Sequence, residues 1–173
     1  PENGEDSHLS VDGLIRDCNS ALSDNAGNLA SRLAGLANKL GGILPGLSPD
    51  WDQDDFMKDI LALVDEAGRG YAELSTRRAC DALVRGWRRC NAEVVKREPW
   101  KVLKTNPDQA RADIRILVAG VELITRAAEP VIPHIARSIL KCLGIPHSTS
   151  WPDQPFTGSV TPQPGVPVPK LVG

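Results

Sequence analysis

The sequence predicts an all-α protein, an antiparallel bundle of about five helices with an extended, proline-rich C-terminal tail. Three observations carry that expectation. Apolar residues recur at spacings of three, four and seven over several long segments, the signature of helices with one core-facing stripe. Glycine and proline clusters interrupt the pattern at short intervals. Nowhere does apolar–polar alternation persist long enough for a sheet strand. At 173 residues the chain has the length of one domain and can bury a substantial core.

Residues 1–10 are polar and acidic and read as a disordered lead-in. From about Val11 to Leu40, Cys18, Leu22, Leu29, Leu33, Leu36 and Leu40 fall on one stripe, predicting a long helix ended by Gly41-Gly42 and Pro45. "SPDWDQDD" supplies an acidic helix start that favours the dipole and leads into "FMKDILALVDEAGRGYAEL". Ser75 is a plausible cap for "TRRACDALVRGWRRCNAEVVKRE", which Pro99 ends. A further helix is expected from about Pro107 to Glu129, with Ile114, Leu117, Val118, Val121 and Ile124 as its stripe. "EPVIPHIARSILKCLGI" then gives a short closing helix, so the bundle is expected to span 11–144. Residues 145–173 have no helical period and read as an extended strap.

Composition narrows the function classes. Aromatics make up only 4% of residues, so Leu, Ile, Val and Ala must fill the core. No run approaches the roughly 18–20 apolar residues of a membrane span, and no signal peptide is visible, so no membrane partner is expected. The chain begins at Pro1 rather than Met, which reads as a fragment or processed form. Cys18, Cys80, Cys90 and Cys142 form no close pair, and His8, His134 and His147 stand apart from them, which argues against a metal site. The cysteines read as reduced thiols of an intracellular protein. Residues 1–75 hold 5 Lys/Arg against 14 Asp/Glu, a net of −9, whereas residues 76–104 hold 9 against 3, a net of +6. A basic segment within a slightly acidic chain suits one localised anionic contact. Clustered acids such as "DQDD" are explained by a helix start and imply no acid–base catalysis.

Asn28 and Arg32 sit on the shoulder of the first helix. With Asn25 and Lys39 they fall within about 60° of one another, about 90° from the leucine stripe. Asn offers a donor and an acceptor and Arg a planar fork, a pair able to read a nucleobase edge. Trp100 follows Pro99, whose ring fixes the local backbone and biases Glu98 toward extended geometry. A tryptophan on such a corner is a stacking surface for an unpaired base. Trp51, Trp87 and Trp151 read as structural, the last as a pin for the tail.

"NSALSDNAGNLASRLAGLANKLGGILPGL" followed by "CNAEVVKREPWKVLK" resembles the C-terminal anticodon-binding domain of methionyl-tRNA synthetase, a class I aminoacyl-tRNA synthetase. Asn91 stands nine residues before Trp100, as in that family. "EPVIPHIARSILKCLGI" and the tail resemble its closing helix and strap, so the likeness covers about residues 11–173. The resemblance implies that Asn28, Arg32 and Trp100 recognise the CAU anticodon loop of tRNA-Met, with Trp100 stacking on the first anticodon base. Arg85, Arg88, Arg89 and Lys96 become possible tRNA backbone contacts. The implied partners are tRNA-Met and the catalytic domain of the same synthetase. No "HIGH" or "KMSKS" signature occurs, so no cofactor is expected in this chain; ATP and methionine would bind the catalytic domain. The compartment, cytoplasmic or mitochondrial, stays open. Two departures stand out. Glu93 occupies a position where the family often has Tyr, placing a carboxylate where RNA is expected to approach, and "PKLVG" lacks the family's aromatic after Leu. The alternative is a synthetase-derived scaffold or interaction subunit of a larger assembly; "GNLASR" with "EPW" argues against a synthetase for Leu, Ile, Val or Cys.

Overall fold

In a computed structural model, residues 19–165 and 167–169 are described. The expected lead-in, the first turns of the first helix and Cys18 lie outside them. The first helix opens with wide π-helical turns over Asn19–Gly27 and continues as α1 (Asn28–Lys39). After it come a 3-10 turn at Trp51–Gln53, α2 (Asp55–Ala72) and α3 (Thr76–Arg97). The short α4 (Pro99–Thr105) leads into α5 (Pro107–Ala128) and α6 (Pro133–Cys142).

The stripes read from the sequence are the buried faces. Leu29, Leu33 and Leu36 of α1 meet Phe56, Met57, Ile60 and Val64 of α2 and Leu83 and Trp87 of α3 in one core. Gly41 (φ +96°) and Gly42 (φ +81°) end α1 in left-handed geometry that a side chain would strain. Side-chain oxygens cap three helices: Asp54 accepts from Phe56 N in α2, Ser75 from Arg78 N in α3, and Asn106 from Gln109 N in α5. α5 is the axial helix, packed against α1, α2, α3, α4 and α6. Its stripe residues Ile114, Leu117, Val118, Val121 and Ile124 are fully buried.

Two local features depart from expectation. The corner after α3 is itself helical, because a proline at the first helical position lacks only an N–H that would be orphaned there anyway. Glu98 is left-handed (φ 44°, ψ 51°), not extended. A residue before proline is driven out of the right-handed helical region. Here the left-handed solution folds α4 back onto α5, burying Pro99 and half-burying Val102 and Leu103.

The tail is a strap laid along the bundle. It makes an isolated antiparallel bridge, Leu44 with Val160, through paired backbone hydrogen bonds of 2.9 and 3.2 Å. α5 grips it with charge. Glu122 accepts the Phe156 N–H at 2.8 Å, while Arg115 donates to the Phe156 and Gly158 carbonyls. Arg126 reaches the Ser150 and Gln154 carbonyls, each at 3.2 Å. Burial pushes the Glu122 carboxyl up, against the pull of the Phe156 N–H and Arg126. Trp151 meets Tyr71 edge-on at 6.1 Å, the pin its sequence context suggests.

Candidate functional site

Of the four residues expected on the polar shoulder, Asn25 lies in the π-helical turns, half-buried, with its Nδ2 donating to the Ser20 carbonyl at 2.7 Å. Asn28, Arg32 and Lys39 are exposed, while Leu29 and Leu33 beside them are fully buried. Val168 of the strap lies against this helix. Ser23 Oγ donates to the Val168 carbonyl at 3.1 Å, and a Cβ added at Gly27 would stand 2.9 Å from Val168 Cβ. The glycine immediately before Asn28 is therefore needed for a close approach, not for a turn.

Trp100 stands on the first turn of α4 with 38% of its surface exposed, whereas Pro99 beside it is buried. The proline, not the tryptophan, plugs the corner. Asn91 joins this side of the site to the first helix: its Nδ2 donates to the Asn25 carbonyl at 3.3 Å and to the Trp87 carbonyl at 3.2 Å. Asn25 lies three residues before Asn28, so one amide ties the first helix to α3, the helix that leads into the Trp100 corner. Among the described residues no hydrogen bond joins the side chains of Asn28, Arg32 and Trp100 to one another. Their polar and aromatic surfaces face outward.

Glu93 corrects an expectation. It is 2% exposed and turned into the bundle. Its oxygens accept from Arg89 Nη1 and Arg97 Nε, each at 2.8 Å. Arg89 also pairs with Asp59 at 2.8 Å, and Arg97 with Asp54 at 2.7 Å and Asp113 at 3.4 Å. Both guanidinium groups lie over the Phe56 ring, at 5.2 and 6.0 Å from its centroid. The network ties α3 to the start of α2 and to α5. Burial pushes the Glu93 carboxyl up, but the hydrogen bonds from Arg89 and Arg97 outweigh it and hold the group below the usual range. The Asp54 carboxyl is likewise held low, burial being overcome by Arg97. The sequence carried the signal: Arg89, Glu93 and Arg97 are spaced by four, the spacing at which side chains meet on a helix.

The basic segment is less available than its charge count implies. Arg85 pairs with Glu66 at 2.6 Å, and Arg89 belongs to the buried network. Arg88 is exposed and joins no ion pair among the described residues; Lys96 is 75% exposed and only 3.9 Å from Glu93. Among the described residues no group of three His, Cys, Asp or Glu side chains is set to hold a metal. No described helix is long and apolar enough to cross a membrane.

Residues 46–167 match the family model described as the anticodon binding domain of methionyl tRNA ligase. That match includes Asn91 and Trp100 but stops short of Asn28 and Arg32. Longer alignments to whole relatives cover most of the chain. It is 28% identical over 153 residues to the methionine–tRNA ligase of Pyrobaculum calidifontis, covering 87% of this chain and 27% of that protein. It is 31% identical over 146 residues to the methionine–tRNA ligase of Deinococcus radiodurans, covering 82% and 21%. The chain thus spans about a quarter of the length of the curated relatives it matches. Its fold resembles the apo crystal structure of Mycobacterium tuberculosis methionyl-tRNA synthetase, with a TM-score of 0.79 at 22% identity over 95% of this chain and 35% of that one.

Proposed function

Because this chain belongs to the family of anticodon-binding domains of methionyl tRNA ligase, we propose that it recognises the CAU anticodon loop of initiator and elongator tRNA-Met on behalf of a methionine–tRNA ligase. The observation that carries the reading is the outward-facing Trp100 on a corner whose buried Pro99 holds it. An unstacked anticodon base lies on the Trp100 ring, an interaction worth roughly 1–3 kcal/mol. Asn28 and Arg32, about 6 Å apart along α1 by helical rise, supply a donor–acceptor pair and a planar fork for base edges. Of the four candidate backbone contacts, Arg88 and Lys96 are the freest for the phosphates; Arg85 and Arg89 contribute field while bound to carboxylates. ATP and methionine are handled by the ligase's catalytic domain, the second partner of this chain.

The test is binding of a CAU stem-loop against the same hairpin with its first anticodon base changed, at fixed moderate salt. We expect a preference of about ten-fold or more, equivalent to about 1.4 kcal/mol, that disappears in Arg32→Ala. Equal binding of the two hairpins would reject the anticodon reading and favour a scaffold.

A further inference from the structure

The Glu93 network ends three residues before Trp100, at a point where, among the described residues, the bonds of Arg97 are the side-chain polar links to other helices. Arg97 is the last residue of α3 and bonds three carboxylates on three elements: Glu93 one turn back at 2.8 Å, Asp54 at the start of α2 at 2.7 Å, and Asp113 on α5 at 3.4 Å. Glu98, next in the chain, is left-handed and partly exposed, and its own ion pair is with Lys101 on the surface at 2.7 Å. Pro99 then enters the core and Trp100 leaves it. The direction in which Trp100 projects is therefore set by two fixed points, the guanidinium of Arg97 and the ring of Pro99, on either side of one strained residue.

We propose that Arg97, held by Glu93, Asp54 and Asp113, is a positioning residue that aims the Trp100 ring and thereby governs how the first anticodon base is read. The proposal rests on the anticodon reading above for its consequence in RNA binding, but its structural half stands without RNA. A lysine at 97 keeps the charge and can satisfy one carboxylate, but lacks the fork that engages three at fixed angles. Loosening α3's last turn lets the Glu98 hinge and α4 re-aim, while Asn28 and Arg32, on α1 at the other side of Asn91, keep their places.

The experiment uses this chain labelled with 5-fluorotryptophan, its four fluorine resonances assigned by single Trp→Phe replacements. In Arg97→Lys we expect the Trp100 resonance to shift or broaden while that of Trp87, which is 2% exposed in the core, stays put. Binding should follow: discrimination against a changed first anticodon base falls about five-fold or more, while discrimination at the third base, on which the Trp100 ring does not stack in this reading, is retained. Asp113→Asn, which takes the charge from the longest of the three contacts and leaves an amide acceptor, gives a milder version of both effects and carries the test if Arg97→Lys does not fold. An unmoved Trp100 resonance in a folded variant overturns the proposal, as does equal loss of discrimination at both bases. A wild-type chain that binds both hairpins alike rejects the anticodon reading; a moving Trp100 resonance would then still uphold the positioning role.

Discussion

Glu93→Gln isolates the buried ion network with almost no change in volume. Glu93 makes two charge-assisted hydrogen bonds, to Arg89 and Arg97, each 2.8 Å long. Bonds to charged groups contribute about 1.5–3 kcal/mol each. The arginines are not stranded by the change, because Arg89 keeps Asp59 and Arg97 keeps Asp54 and Asp113. Their side chains are 26% and 21% exposed, so water screens part of the loss. The expected cost is about 2–3 kcal/mol at neutral pH, below the roughly 3–5 kcal/mol of a buried pair whose survivor is left alone. For a chain of this length that lowers the melting temperature by roughly 5–10 °C. The pH dependence makes the test sharper. Glu93 is held below its ordinary value of 4.5 in the folded state, so its contribution is complete above that value and is lost as pH falls through the folded one. Thermal melts of both proteins followed by circular dichroism from pH 7 down to about pH 3 should therefore converge on acidification. Equal melting temperatures at pH 7, or a gap that persists undiminished in acid, would refute the assignment of Glu93 to the network.

Trp100→Ala should leave the melt within about 0.5 kcal/mol of wild type, as for a surface change, while hairpin titrations lose roughly 1–3 kcal/mol of affinity for the CAU loop. A large fall in melting temperature would make Trp100 a packing residue instead. Glu122→Gln keeps an acceptor for the Phe156 N–H but removes a buried carboxylate that the fold holds above its ordinary value. A folded group that binds its proton more tightly than the unfolded chain costs stability as pH rises above the unfolded value, so melts should show the variant gaining on wild type as pH rises above 4.5. Gly27→Val inserts a branched side chain where even a Cβ would lie 2.9 Å from Val168. Overpacking of this kind costs about 1–3 kcal/mol, and limited proteolysis should cut the strap's end faster while sparing α5.

The helices were legible because each buries one face, and burial imposes a period that the sequence must show. Ile114, Leu117, Val118, Val121 and Ile124 could be placed in the core without knowing what covers them. The exposed shoulder of Asn28 and Arg32 was legible for the same reason, as the complement of the leucine stripe. Glu98 was not, since the rule for residues before proline excludes one region and leaves tertiary packing to choose between the others. Glu93 was misread because its type, not its spacing, was weighed: two arginines one turn away on either side were in view. Arg115 and Glu122 interrupt an apolar stripe with groups whose partners lie 34 to 43 residues further on, in a strap without periodicity. Nothing local could have named those partners.

The grip of α5 on the strap also orders events in time. A ribosome delivers Arg115 and Glu122 well before Phe156 and Gly158, and long before Val168 reaches Ser23 and Gly27. Until those last residues emerge, the axial helix carries charges with no backbone to hold, and the groove beside Leu44 lacks its bridge. The nascent domain is thus competent to gather its helices early but is sealed only when the strap arrives, a closure between chain regions some 145 residues apart at Ser23 and Val168. Contacts of such long sequence separation form late and slowly, so a chain that stalls or is clipped within the strap would leave the ribosome with its axis uncovered.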